Sequence, residues 1–524
     1  MYIFFITLLG TLLRLNNIIK PEGLWNDEYV SWYIANIPLG ADFWAAVKTQ
    51  CHLPLYYLYL KFTMIFGGSS DFFLRLTSLI PSIIAIPVMY FAGKEFDKNS
   101  NNIAKMMALI TAFSSFLIYY SQEVRLYSLL FLFSALALLY MIKTVNNFSK
   151  KNIIGFVIFN LLIILTHTIG FVFVFFNIVY LLSKLAVQKQ LSGKKITFII
   201  LGLILPVIIS LPLIINTFKM GGIAQWWGIF SIRNLGFLIT DYFSPVLTNL
   251  VNSPNAFLYK HDLSFTFFLL FPSIIAFIGL IVGTKKNKGL FLIVIGSIFV
   301  LIMAAILGKL VFITKYSIEI YPILILLTAV GFNSLSKFHL GKILFILYFV
   351  SNLLFIPNKD FATKLPRNEG HKIVADLLTM ADIKQNDTIV FTYYDKDRFE
   401  KYIDLSKYNV LSINKSNIYQ FCNAHLSQKY LNQNNFNNLE QNLKKEITKN
   451  YKNNVYIIFL DSVEIFTTQQ VQQIINTEEL IDKVPKNYLI FSELKNKLIS
   501  LGAKKYKYRS FINKGDWTIL LLKN

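Results

Sequence analysis

Residues 106–141 have the sequence MMALITAFSSFLIYYSQEVRLYSLLFLFSALALLYM, in which two apolar runs flank a short polar turn. The runs extend over residues 104–120 and 126–142, which is close to the length that a short membrane-spanning helix needs. The charged residues of the stretch, Glu123 and Arg125, both lie in the turn. The pattern predicts two membrane-spanning helices joined by a tight turn at one face of the membrane.

Comparable apolar runs recur through the first two-thirds of the chain. Of the 524 residues, 55% are hydrophobic and 15% are charged, whereas a soluble domain carries roughly a quarter charged residues. This composition excludes disorder, a collagen-like fibre and a disulfide-rich mini-domain. The candidate spans are 2–19, 72–93, 104–120, 126–142, 153–168, 169–183, 197–216, 264–283, 290–308, 316–336 and 343–356. The sequence thus predicts a polytopic α-helical membrane protein with about eleven spans, where 153–183 is either two short spans or one broken span.

The excess of basic residues follows the predicted topology. The formal net charge is +22, which in a soluble protein would indicate nucleic-acid binding. The loops on one side carry 15 Lys and Arg in 46 residues, and those on the other side carry 9 in 111. Short basic loops face the cytoplasm, so the N-terminus is predicted inside and the C-terminus outside. The excess of basic residues is therefore explained by the membrane topology, and no nucleic-acid partner is expected.

The composition changes near Pro357, which is the predicted domain boundary. Residues 1–356 form the membrane domain, with long outer loops at 20–71 and 217–263, and residues 357–524 form an extracytoplasmic α/β domain. In that domain the runs 387–392, 454–460 and 517–522 predict buried strands, and three or four strands with covering helices are expected. The helical stretches lie around 371–381, 397–403, 468–476 and 490–502.

The two cysteines fall on the predicted outer side. A disulfide between Cys51 and Cys422 is possible there. Two unpaired thiols are an equal alternative, because nothing in the sequence brings the two positions together.

An acidic pair follows the first span. Asp27 and Glu28 lie in the stretch LWNDEYVSWYIA, residues 24–35. One interpretation is a helix start with Asn26 as N-cap and two acids in the first turn. The other is a catalytic carboxylate at an aromatic-lined cavity outside the membrane, where one acid takes a proton and its neighbour positions a substrate or cation. The two interpretations are compatible.

Further ionisable residues mark the outer ends of the spans. Each has a structural interpretation beside a functional one. His52 is either the polar tip of an interfacial helix beginning near Pro54 or a ligand, and snorkelling is sufficient to explain Arg75. Glu123 and Arg125 form a capping salt bridge, or Arg125 offers its planar fork to an anion. His167 is a packing residue or a ligand, and Lys315 snorkels or meets a phosphate.

One physical idea joins these positions. Carboxylates in the first loop and cations at Arg125 and Lys315 suit a substrate with a lipid tail and an anionic head. The tail would stay in the bilayer while the head reaches the outer cavity.

Taken in order, these motifs resemble those of the C-type membrane glycosyltransferases of family 39, which include protein O-mannosyltransferases and lipid A aminoarabinose transferases. The resemblance covers roughly residues 1–340. The stretches that carry it are 24–35, 52–60, 74–78 (LRLTS), 119–127 (YYSQEVRLY), Thr166-His167 and Lys315-Tyr316 before Pro322. It implies a GT-C fold and a bacterial member in the cytoplasmic (inner) membrane. The family commonly has His-Pro-Pro where this chain has His52-Leu53-Pro54, and often an Arg where it has Lys315.

The resemblance implies inverting sugar transfer from a polyprenyl-phosphate donor to a glycan, lipid or protein acceptor. Asp27 would be the general base, and Arg125 and Lys315 would stabilise the leaving phosphate. Glu28, Glu123 and His167 would bind sugar, acceptor or a divalent ion, and Glu28, His52 or His167 would be the ligands of such a metal. The whole set expected to bind substrate or phosphate is Arg125, Lys315, Tyr316, Glu123, Tyr127, His52, His167 and Arg75.

Three other functions remain open. A transporter or flippase for lipid-linked sugars fits the span count, although the charges cluster at one face instead of near the bilayer midplane. A glycan polymerase or ligase would use similar substrates. A non-catalytic scaffold would bind a partner through its outer domain.

Overall fold

The computed structural model divides into two compact units. The described residues are 1–16, 18–19, 23–50, 52–190, 233–244, 263–307, 312–336, 339–355, 383–391, 396–412, 455–460, 504–509 and 516–522, with scattered single positions in 193–215 and 372–379. Residues Met1–Ile19 and Val30–Thr363 form one unit, called here the helical unit. Residues Lys20–Tyr29 and Lys364–Asn524 form the other, called the α/β unit.

The described part of the helical unit is built of α-helices and one 3-10 helix. In chain order the α-helices are α1 (Tyr2–Leu15), α2 (Asn26–Asn36, which begins in the α/β unit), α3 (Ala41–Lys48), α4 (Leu55–Gly67), α5 (Asp71–Phe96), α6 (Asn102–Phe113), α7 (Ser115–Ser121), α8 (Tyr127–Asn146), α9 (Lys150–Thr166), α10 (Gly170–Val187), α11 (Arg233–Phe243), α12 (Leu263–Lys286), α13 (Lys288–Ile306), α14 (Tyr321–Leu335) and α15 (Leu340–Phe355). The 3-10 helix, Thr314–Ile320, precedes α14 directly.

Five helical stretches among the described residues are long and apolar enough to cross a membrane, and the bent pair α6–α7 makes a sixth. Two shorter apolar helices lie at α1 and within α15. The polytopic helical fold is confirmed, while the total of about eleven spans stays a prediction. The stretch 153–183 forms two helices, α9 and α10, and the predicted span 197–216 lies almost entirely outside the described residues.

The predicted span 104–120 is not one straight helix. It bends by 53° between α6 and α7, where Ser114 caps α7 by accepting the N–H of Leu117. Arg14 of α1 is fully buried and donates to the carbonyls of Thr111 and Ala112 at 2.9 and 2.8 Å. These are carbonyls that the end of α6 leaves without an intrahelical partner, so a buried cation stabilises the break.

Glycines allow two long helices to approach closely. A Cβ placed on Gly331 of α14 would overlap the carbonyl oxygen of Gly279 in α12, and one on Gly283 would overlap that of Leu327. Small residues at helix contacts let membrane helices pack backbone to backbone, where dispersion contacts hold them together. This contact fixes α14, which continues the 3-10 helix that carries Lys315.

The α/β unit contains a five-stranded mixed sheet. Its strands are β1 (Thr388–Phe391), β2 (Asn409–Ser412), β3 (Val455–Leu460), β4 (Lys504–Arg509) and β5 (Asp516–Leu522). The order across the sheet is β2-β1-β3-β5-β4, with β1 parallel to β2 and β3, and β5 antiparallel to β3 and β4. One cluster of buried residues packs on it: Ala375, Leu378, Ile389, Phe399, Ile403, Leu405 and Tyr456.

The predicted α/β class is confirmed, although the sheet is larger than expected. The three predicted strands correspond to β1, β3 and β5, and β2 and β4 bring the described sheet to five strands, above the three or four expected. In place of the helix predicted at 397–403, a single helical turn spans Lys396–Phe399. The helices predicted at 468–476 and 490–502, and most of that at 371–381, lie outside the described residues.

Candidate active site

The turn between α7 and α8 is held by hydrogen bonds from three directions. The Gln122 amide donates to the carbonyls of Arg14 and Asn16 at 3.0 and 2.5 Å. The hydroxyl of Ser78 on α5 donates to the carbonyl of Arg125 at 3.1 Å, and that of Ser128 on α8 donates to the carbonyl of Tyr120 at 3.0 Å. Because these bonds fix the backbone, they also fix the direction in which Arg125 leaves the turn.

Arg125 is buried and faces the long first loop. Its Nη2 lies 2.9 Å from Nε2 of His52, and its Nη1 donates to the hydroxyl of Ser31 at 3.3 Å. A guanidinium has no acceptor atom, so His52 accepts through Nε2 and carries its ring proton on Nδ1. Burial, followed by the charge of Arg125, holds the pKa of His52 well below its ordinary value of 6.5. The imidazole is therefore neutral, and its buried Nδ1 has no hydrogen-bond partner among the described residues.

A second buried histidine lies beside the first. His167 and His52 form an antiparallel backbone bridge, and their ring centroids are 5.5 Å apart. Nδ1 of His167 lies 2.9 Å from a carboxylate oxygen of Glu319, and both side chains are buried. The bridge joins two segments that are distant in sequence, and Glu319 fixes the orientation of the second ring.

Lys315 reaches this group from the 3-10 helix. Its Nζ lies 5.5 Å from the centroid of the Tyr127 ring and 5.4 Å from that of Tyr316. The guanidinium carbon of Arg125 lies 5.9 Å from the centroid of the same Tyr127 ring. Two cations about 190 positions apart in the chain therefore converge on one aromatic side chain. We call Arg125, Lys315, Tyr127, His52 and His167 the cationic centre.

The 3-10 helix is held by α11. Thr314 donates its hydroxyl to the carboxylate of Asp241 at 2.8 Å. The hydroxyl of Tyr242 lies 3.1 Å from the carbonyl of Thr314 and 2.9 Å from the hydroxyl of Ser317. The rings of Tyr242 and Tyr321 stack at 4.4 Å. These contacts surround the residue that precedes Lys315 and so fix where the lysine begins.

The acidic pair lies in the first turn of α2, in the segment that belongs to the α/β unit. Tyr29 donates its backbone N–H to the carbonyl of Trp25 at 2.8 Å, so Trp25 is the N-cap, one residue before the predicted Asn26. Glu28 is fully buried and accepts the N–H of Trp25 at 3.2 Å, as the acid of a capping box does. Asp27 is half-buried. Their position relative to the cationic centre stays a prediction.

Two predicted residues have environments that differ from those expected. Glu123 is buried and accepts the hydroxyl of Tyr119. Arg75 is fully buried, with Nη1 3.4 Å from the carbonyl of Ile18. The snorkelling explanation of Arg75 is therefore wrong, because its charged end lies inside the protein instead of in water.

The residues present do not form a metal site within the described part of the chain. No group of three or more His, Cys, Asp or Glu side chains is arranged there to hold an ion. The ring nitrogen of His52 nearest Arg125 accepts from the guanidinium, and Nδ1 of His167 is bonded to Glu319. Cys51 and Cys422, the pair considered for a disulfide, lie outside the described residues.

Sequence reasoning missed three residues that hold the cationic centre. Ser31 contacts Arg125, Asp241 holds Thr314, and Glu319 holds His167. A usable signal existed for the two acids, because residues 1–356 contain only 11 Asp and Glu and an acid beside an apolar run is a functional candidate. Nothing in the sequence distinguishes Ser31 from the other serines.

No protein-family model matches the chain, and no curated protein matches it. The crystal structure of ArnT from Cupriavidus metallidurans in the apo state matches with a TM-score of 0.54 and 10% identity, over 99% of this chain and 97% of that chain. The structure of the same protein bound to undecaprenyl phosphate matches with a TM-score of 0.53 and 11% identity, over 99% and 98%.

A third solved structure aligns more loosely. It is the Archaeoglobus fulgidus oligosaccharyltransferase tethered with an acceptor peptide, at a TM-score of 0.47 and 12% identity over 88% of this chain and 69% of that chain. The two ArnT structures match this chain nearly end to end. This chain has the GT-C fold of ArnT, a polytopic helical membrane domain followed by an α/β domain.

Proposed function

We propose that this protein is an inverting glycosyltransferase that moves a sugar from a polyprenyl-phosphate donor to an acceptor at the outer face of the bacterial cytoplasmic membrane. The observation that carries the proposal is the convergence of Arg125 and Lys315 on the ring of Tyr127. Two cations on buried side chains can hold a lipid phosphate that enters from the bilayer. ArnT, which shares the fold, has been crystallised with undecaprenyl phosphate, and this supports the choice of donor.

In the proposed reaction the acceptor hydroxyl attacks the anomeric carbon from the side opposite the phosphate. The carbon–oxygen bond to the phosphate breaks as the new glycosidic bond forms, and its electron pair leaves with the phosphate. Arg125 and Lys315 stabilise that charge, which preorganised cations do without further reorganisation. Asp27 takes the proton of the acceptor hydroxyl.

The assignment of Asp27 is supported by the geometry of α2. Glu28 accepts the N–H of Trp25 and so caps the start of the helix. Asp27 is the other acid of this first turn, and we assign it as the base.

His52 has a further proposed task. Its neutral ring presents a buried N–H at Nδ1 that has no partner among the described residues. We assign this donor to an oxygen of the sugar or of the phosphate. Glu319 orients His167, which lies beside His52 and limits the rotation of its ring.

The first experiment tests phosphate binding. The full chain is placed in nanodiscs, and binding of undecaprenyl phosphate is measured for the wild type, Arg125→Gln and Lys315→Gln. Each variant should bind about 10–100-fold more weakly, because a hydrogen bond to a charged group is worth about 1.5–3 kcal/mol. The matched control is Lys143→Gln, since Lys143 also lies over a ring, that of Tyr140 at 5.2 Å, but at the other end of α8.

The second experiment tests transfer. In vitro, the wild-type chain is incubated with undecaprenyl phosphates that carry mannose, glucose or aminoarabinose, and turnover of each donor is measured. In cells, mass spectrometry compares the surface glycolipids made with and without the protein. The proposal is supported if cells without the protein lose one glycolipid species and the wild-type chain turns over one of the donors in vitro. Unchanged binding in both cation variants contradicts it, as does movement of a lipid-linked sugar across the bilayer without transfer.

A further inference from the structure

The segment that carries the acidic pair is attached to the α/β unit at two points. Tyr402 accepts the backbone N–H of Leu24 through its hydroxyl oxygen at 2.7 Å. The guanidinium carbon of Arg398 lies 5.9 Å from the centroid of the Tyr29 ring, within the range of a cation–π contact. One attachment precedes Asp27 and the other follows it, so the acid lies between two fixed points.

The approach of Tyr402 to this segment leaves little room. Gly23 has a φ of +88°, and a Cβ at this position would lie 2.6 Å from the Tyr402 hydroxyl and 2.8 Å from Cβ of Lys372. A larger residue would both strain the backbone and meet these atoms. The chain is therefore fitted closely against Tyr402 immediately before the start of α2.

Both attachment residues come from one short piece of the α/β unit. Arg398 lies in the helical turn Lys396–Phe399, and the backbone N–H of Tyr402 donates to the carbonyl of Phe399 at 2.8 Å. Phe399 is fully buried in the cluster that packs on the sheet. The sheet thereby provides a rigid base for the two contacts.

We infer that Tyr402 and Arg398 are positioning residues that set the location of Asp27 within the α/β unit, and through that location the rate of the step in which Asp27 takes the acceptor proton. The inference rests on the proposed function, in which Asp27 takes the acceptor proton. A general base must lie within hydrogen-bond reach of its proton, and a displacement of about 1 Å can cost about a hundredfold in rate. Neither residue touches the reacting atoms in this scheme.

The inference predicts different effects on the two kinetic constants. Tyr402→Phe removes one oxygen and keeps the ring. It should lower kcat by about tenfold or more and leave the KM for the donor within about twofold, because the phosphate is held by Arg125 and Lys315. Arg398→Gln should do the same, and Arg398→Lys should restore most of the rate because a lysine keeps the cation over the ring.

The experiment adds two readouts that do not depend on turnover to the kinetic constants. Hydrogen exchange of the full chain in nanodiscs is followed by mass spectrometry, and undecaprenyl phosphate binding is measured in the same samples. In Tyr402→Phe the amides of residues 23–29 should exchange about five- to tenfold faster, the loss expected for one hydrogen bond. Exchange in β1 and binding of the lipid should stay at wild-type values.

The matched control is Tyr408→Phe. Tyr408 packs against the same buried cluster, and its hydroxyl makes no hydrogen bond to the segment 23–29 in the described part of the chain. Its kcat and its exchange at 23–29 should equal those of the wild type. The inference is overturned if Tyr402→Phe exchanges like the wild type at 23–29, or if its kcat is unchanged while those amides are deprotected.

If the proposed function is wrong, the results differ from those that overturn this inference. In that case no donor of the panel is turned over by the wild-type chain, and the cation variants bind undecaprenyl phosphate normally. The exchange comparison still decides whether Tyr402 fixes the acidic segment, because it requires no substrate.

Discussion

At the residue scale, two adjacent carboxylates have been given different environments by one helix start. Glu28 is fully buried and accepts the N–H of Trp25, whereas Asp27 is half-buried at the next position of the turn. A carboxylate occupied with a cap is poorly placed to exchange protons, and its neighbour is only half-buried. In the proposed function, Glu28 therefore holds the helix start and Asp27 serves as the base.

This division predicts opposite outcomes for two substitutions. Asp27→Asn should retain expression, membrane insertion and thermal stability but lose transfer by about 10²–10⁴-fold, the usual contribution of a general base. Glu28→Ala, which removes the acceptor of the Trp25 N–H, should destabilise the folded state by about 1 kcal/mol, as the loss of a cap does, and keep more turnover. Turnover of the best donor and melting in nanodiscs check both. Near-normal turnover of Asp27→Asn would remove Asp27 from its role.

At the element scale, the residues of the cationic centre depend on helix ends instead of helix middles. Arg125 follows α7, His167 follows α9, and Lys315 lies in a 3-10 helix ahead of α14. Helix ends carry backbone groups without intrahelical partners, and here buried side chains such as Arg14 and Ser78 bind them. The long apolar stretches stabilise the helical unit. The breaks between them set the directions in which Arg125, His167 and Lys315 leave the backbone.

The sequence predicts the elements better than their ends and their pairings. Apolar runs identify α5, α8 and β3, because burial requires apolar residues whatever the neighbours are. The strand β4, with the sequence KKYKYR, lacks that pattern and is recognised only by its pairing with β5. The bend at Ser114 is missed because both halves are equally apolar. Glu319 and Ser31 become informative only once the fold brings them to His167 and Arg125.

The close contact between α12 and α14 gives a test at this scale. Gly331→Ala should lower the free energy of unfolding by about 1–3 kcal/mol, because the added methyl group meets the carbonyl of Gly279. Gly236→Ala is the control, since Gly236 also lies in a helix but has nothing within 4 Å of a new Cβ. The control should be neutral or stabilising by up to about 1 kcal/mol. Equal melting temperatures of the two variants would contradict the helix contact.

At the scale of the whole molecule, the basic residues are unevenly distributed between the loops of the first 356 residues and the segment that follows them. The basic loops are short and recur between predicted spans, while residues 357–524 have an ordinary balance of 25 basic and 18 acidic residues. Basic loops are retained in the cytoplasm during insertion. The same rule therefore orients the acidic pair, the cationic centre and the α/β unit toward the outside in the proposal.

This orientation is tested with reporter fusions in bacterial cells. Alkaline phosphatase fused after Asn524 should be active, because the enzyme matures only outside the cytoplasm, and a fluorescent protein fused there should be dark. Fusions within the basic loop 143–152 should give the reverse pattern. A bright fluorescent fusion after Asn524 would contradict the proposed outer face and with it the site of transfer.

The sharing of one ring by Arg125 and Lys315 also has a consequence for biosynthesis. The ribosome makes Tyr127 about 190 positions before Lys315, so at about 5–20 residues per second the interval is on the order of 10–40 s. During that time the early helices carry Arg125 without Lys315. If the two cations bind the lipid phosphate as proposed, a nascent chain that stops before Thr314 is inserted but lacks one of them, and donor binding becomes complete only when the late helices join the bundle.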